Sequence, residues 1–144
     1  MKSVKIDIFN ALKLTKDQLI AITNNPEITQ ALVDIVGSDT SGIKQIFSFY
    51  PPSTAVFPCA GFYRISGQVG SADGKLSSNK NELYSIDCMA KTMTATEDME
   101  IAIDLAMDTL DWIVTAEHGP DLYEETTKVF HKVLRYRIKS NSKG

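Results

Sequence analysis

Apolar residues recur at helical spacing through the first third of the chain. Val4, Ile8 and Leu12 stand four apart behind Ser3, a residue suited to cap a helix start. Thr15 and Gln18 form a capping box before Leu19, Ile20 and Ile22. Asn25 before Pro26 places a cap beside a first-turn proline, and Ile28, Ala31, Leu32 and Ile35 keep helical spacing as far as Gly37. The pattern predicts three short helices followed by a polar turn, Ser38 to Gly42.

The period then changes. Ile43 to Tyr50 is rich in β-branched and aromatic residues and is stopped by Pro51 and Pro52; Val56 to Val69 resumes the composition, with Pro58 at its entrance. Tyr84, Ile86, Cys88 and Ala90 alternate with Leu83, Ser85, Asp87 and Met89. Three strands are predicted here. Between the second and third, Gly70 to Asn81 is polar except for Leu76, too long for a tight hairpin turn, and is expected to project as a mobile loop.

The strongest helical pattern starts at Thr94, which forms a second capping box with Glu97. Met99, Ile103, Ala106, Leu110 and Ile113 make an apolar stripe that ends at His118, Gly119 and Pro120. Leu134, Tyr136 and Ile138 alternate with Arg135, Arg137 and Lys139 in a closing strand, and residues 140–144 are expected to be a flexible tail. The order predicts an α+β fold: one small, mainly antiparallel sheet with helices packed on a face, short helices first and one long helix before the last strand. A chain of 144 residues fits a single domain.

Charge alters this picture more by position than by total. The net charge is −3, yet ten acids and no base lie between Thr92 and Thr127, and six bases and no acid follow from Lys128. Glu97, Glu100, Asp104, Asp108 and Asp111 follow helical spacing and form an acidic stripe, with Ile101, Leu105 and Trp112 as a second apolar strip beside the first. The stripe and the basic strand could pair within one subunit. They could equally be the complementary patches of a subunit contact, with Arg135, Arg137 and Lys139 facing the acids and the apolar strip as its dry centre.

Chemistry adds little. His118 and His131 share no motif with a nucleophile, and His118 suits a helix C-terminus better than a general base. Cys59 and Cys88 lie on neighbouring predicted strands and are expected to be buried thiols. The acidic stripe lacks the loop geometry that converges carboxylates on one ion, so no metal and no cofactor is expected. No apolar run reaches the length of a membrane span and no signal-peptide pattern opens the chain, which predicts a soluble, intracellular protein, and the lack of a catalytic motif predicts a non-enzymatic one.

The stretch IFSFYPPSTAVFPCAGFYRISG, the polar hairpin after it, the strand NELYSIDCMAK, the helix from Thr94 and the basic closing strand together resemble the tail-completion (tail terminator) proteins of long-tailed bacteriophages. The likeness spans most of the chain, and its most recognisable part runs from Tyr50 through Phe57 and Pro58 to Phe62. It implies a small α+β subunit that assembles as a ring, a hexamer in that family, stops growth of the tail tube and forms the joint to the head. Its partners would be further copies of itself, the tail tube protein and a head connector protein, with passing contact to DNA and none to membrane. Assembly in the host cytoplasm and a final place at the head-tail junction of the virion would follow. Ser71, Asp73, Lys75 and Lys80 would sit on a loop facing the lumen or tube end. Two extra short helices before Gly37 depart from the minimal plan of that family and keep open a neighbouring connector or minor tail role. A protein-interaction adaptor outside any virion shares the lack of catalytic residues.

Overall fold

A computed structural model describes residues 3–23, 25–72 and 75–139, with only the backbone described for 68–72 and 75–80. Three helices open the chain: α1 (Val4–Leu12), α2 (Lys16–Ile22) and α3 (Pro26–Ala31). Strands β1 (Ile46–Ser48), β2 (Cys59–Ala72) and β3 (Lys75–Ala90) follow, then helix α4 (Met93–Asp108) and strands β4 (Ile113–Ala116), β5 (Asp121–Glu124) and β6 (Val129–Lys139). The caps expected at Ser3, Thr15 with Gln18, and Asn25 are all formed.

The six strands make one sheet in the order β1-β2-β3-β6-β4, with β5 also paired to β6. All pairings are antiparallel except β1 with β2. Phe62, Ile86 and Leu134 are cross-strand partners, as are Tyr84 and Tyr136, so these side chains share one face. That face is dry: Ile8 and Leu12 of α1, Leu19 of α2 and Met99, Ile103 and Met107 of α4 join those strand residues in one core. The predicted α+β plan, with helices on one face of a mainly antiparallel sheet, is the plan observed.

Several boundaries differ from expectation, each for a local reason. Helix α3 stops at Ala31, and Leu32, Ile35 and Val36 are buried from irregular chain instead. The backbone of Gly37 pairs with Pro58 and Gln45 rather than closing a helix. Strand β1 keeps only three of the eight residues expected for it. Thr92, not Thr94, caps α4, its hydroxyl accepting from the Ala95 N–H. The helix ends ten residues before His118, because the Thr109 hydroxyl donates to the Ala106 carbonyl at 2.6 Å and the next apolar residues enter β4. Strands β4 and β5 were not expected at all.

The long hairpin expected around Gly70 to Asn81 is present, but the segment read as its loop is mostly strand: β2 and β3 continue as a two-stranded ribbon with Val69 opposite Lys80 and Ala72 opposite Lys75. Cross-strand backbone hydrogen bonds satisfy a polar sequence as well as an apolar one. Asp73, Gly74 and the tail 140–144 lie outside the described residues, as do the side chains of Ser71, Lys75 and Lys80. Pairing of β3 with β6 begins at Asn81, so the ribbon beyond it is paired only to itself among the described residues.

Candidate interaction surfaces

The charge segregation read from the sequence is used first inside the subunit. Strand β6 is an inner strand, and it lays Lys132 and Tyr136 against the acidic side of α4. Lys132 Nζ sits 3.4 Å from Glu100 and 2.7 Å from Asp121, and the hydrogen bond to Asp121, with Glu100 nearby, holds its pKa above the ordinary lysine value despite partial burial. The Tyr136 hydroxyl donates to Asp104 Oδ1, which also lies 2.9 Å from His118 Nε2. Burial, reinforced by the Asp104 carboxylate, pushes the Tyr136 phenol far above its ordinary pKa. His118 stands edge-on to the Tyr136 ring at 5.1 Å, in the loop between β4 and β5 rather than at a helix end. Arg137 reaches Glu117 at 3.1 Å and Asn81 at 3.1 Å.

Glu100, Asp104 and His118 bring one ligand atom each within 4.8 Å of one another. Among the described residues they are the group that could hold a cation, although the carboxylates already serve Lys132, Tyr136 and His118.

Trp112 does not belong to an exposed strip. It follows α4, is 6% exposed, and donates its indole N–H to Asp7 Oδ2 of α1 at 2.9 Å. Ile101 and Leu105 do face outward, and with Ile28 and Ala31 of α3 and Val114 and Ala116 of β4 they line a groove of about 600 Å³. Glu27, Asp104 and Asp108 are its charged lining residues, and no lysine or arginine among the described residues lines it. Glu97, Asp111, Arg135 and Lys139 are exposed outside this groove.

The opposite face of the sheet carries a second apolar surface that the sequence reading missed. After β1 the chain turns at Phe49, whose φ of 67° is a left-handed value that side chains rarely adopt. It then crosses over Gly61: a Cβ there would lie 2.0 Å from the Phe49 carbonyl oxygen. Only glycine permits that crossing. The turn projects Phe49 and Tyr50, 64% and 65% exposed, beside Tyr63; Phe49 stacks on Tyr63 at 5.9 Å and Tyr50 leans on it at 6.0 Å. Tyr63 alternates with Phe62, whose ring faces the helices at Phe9, so the cluster lies on the far side of the sheet from the groove. The signal in the sequence was the run Phe49-Tyr50-Pro51-Pro52, which strand propensity alone read only as a strand end.

Beneath the crossing segment, Ser85 donates to Asp87 Oδ1 at 2.8 Å, and His131 Nε2, buried without a hydrogen-bond partner among the described residues, lies 3.8 Å from Asp87 Oδ2. The acid stands between serine and imidazole. In this order the serine proton is directed to a carboxylate, not to a histidine that could act as base, so the three are not arranged as a nucleophile triad. Cys59 and Cys88 are free and buried, as expected, and burial raises both thiols, Cys59 to about 11. No helix among the described residues is long and apolar enough to cross a membrane.

No protein-family model matches this chain, and no curated protein matches it significantly. Among solved structures it is similar to a chain described as "Virion of native gene transfer agent (GTA) particle", at 12% identity and a TM-score of 0.42, over 92% of this chain and 96% of that one. A likeness at that level assigns neither family nor role.

Proposed function

We propose that this chain is a structural protein of a phage-like virion that assembles as a ring, caps the tail tube and forms the joint to the head. The sequence likeness to tail-completion proteins from Ile46 through Gly67 supports the role, and the α+β plan that this likeness implies is the observed fold. The observation that carries assembly is the presence of two unlike apolar surfaces on opposite sides of one sheet. One is a groove with an acidic rim and the other an aromatic projection. Unlike patches on opposite sides make head-to-tail contacts, and such contacts close into rings when the rotation allows.

Within this reading Ile101, Leu105, Asp104 and Asp108 serve the subunit contact, while Trp112 and Arg137 are committed inside the subunit. Glu97, Glu100 and Asp111 would add negative charge around that contact, and Arg135 and Lys139 would meet it from the neighbouring copy. The ribbon of β2 and β3 would carry Ser71, Asp73, Lys75 and Lys80 toward the tube end or the DNA path, where repetition around the axis multiplies a weak contact. The test is the length of tails assembled with and without the protein. The reading expects regular, capped tails only in its presence; equal length distributions would contradict it.

A further inference from the structure

We draw no further inference here: the strongest candidate, the apolar groove between α3, α4 and β4 with its acidic rim, carries nothing, because nothing in the structure shows what covers it.

Discussion

Replacing Tyr136 with phenylalanine should destabilise the subunit less than replacing its partner. The Tyr136 ring is 1% exposed and its hydroxyl donates to Asp104, whose side chain remains 43% exposed and also meets His118. Removing the hydroxyl leaves the carboxylate hydrated and paired to His118, so the loss is one bond to a charged acceptor, about 1.5 kcal/mol. Asp104→Ala strands a buried phenol with no acceptor and takes away a partner of His118, which should cost about 3 kcal/mol. Once Tyr136 is phenylalanine, Asp104→Ala should cost under about 1 kcal/mol, giving a coupling of about 2 kcal/mol in the double-mutant cycle. Urea unfolding followed by the fluorescence of Trp112, the single tryptophan and a buried one, measures all four proteins. An Asp104→Ala variant within about 0.5 kcal/mol of wild type would refute the reasoning. It would mean that this acid contributes only outside the subunit.

Gly61→Ala places a Cβ 2.0 Å from the Phe49 carbonyl and should cost about 3 kcal/mol or more, read as a lower urea midpoint or loss of soluble protein; a neutral substitution would mean the crossing segment does not pack there. Asp7→Ala leaves the Trp112 indole N–H, 2.9 Å from its acceptor at present, without a partner and should cost about 1 to 2 kcal/mol with a shift in Trp112 emission. Stability should fall as pH rises past about 9: Cys59, whose thiol is raised to about 11, and Tyr84 and Tyr136, raised by burial, keep protons in the folded state that the unfolded chain releases. Lys132, raised by Asp121, acts in the same direction, and Cys59 alone contributes up to about 2 kcal/mol of the loss. Stability that is flat or rising between pH 8 and about 10.5 would contradict those burials.

The caps at Ser3, Thr15 and Asn25 were legible because capping depends on a few neighbouring residues. The alternation in β3 and β6 was legible because those strands have one dry face. What periodicity could not decide was where apolar spacing stops meaning helix. Leu32 and Ile35 are buried from coil, and Leu110 and Trp112 from a turn, since core volume can be filled by any backbone that reaches it. Glu97, Glu100, Asp104 and Asp108 of the expected acidic stripe lie on α4, whereas Asp111 falls in the turn after it because the helix ends early, and the stripe's partners were visible only once β6 proved to be an inner strand beside it. The aromatic knob was hidden for a further reason. Its shape comes from a chain crossing at Gly61, a contact between segments twelve residues apart that no local pattern encodes.

The central claim is that unlike faces of this subunit join copies into a closed ring at a tail end. Native mass measurement of the full-length protein, alone and after mixing with purified tail tubes, tests it most directly. The account predicts a single discrete particle of several 15.9 kDa subunits, free or bound at tube ends. A protein that remains at the mass of one subunit at every concentration and leaves tube ends bare would contradict it.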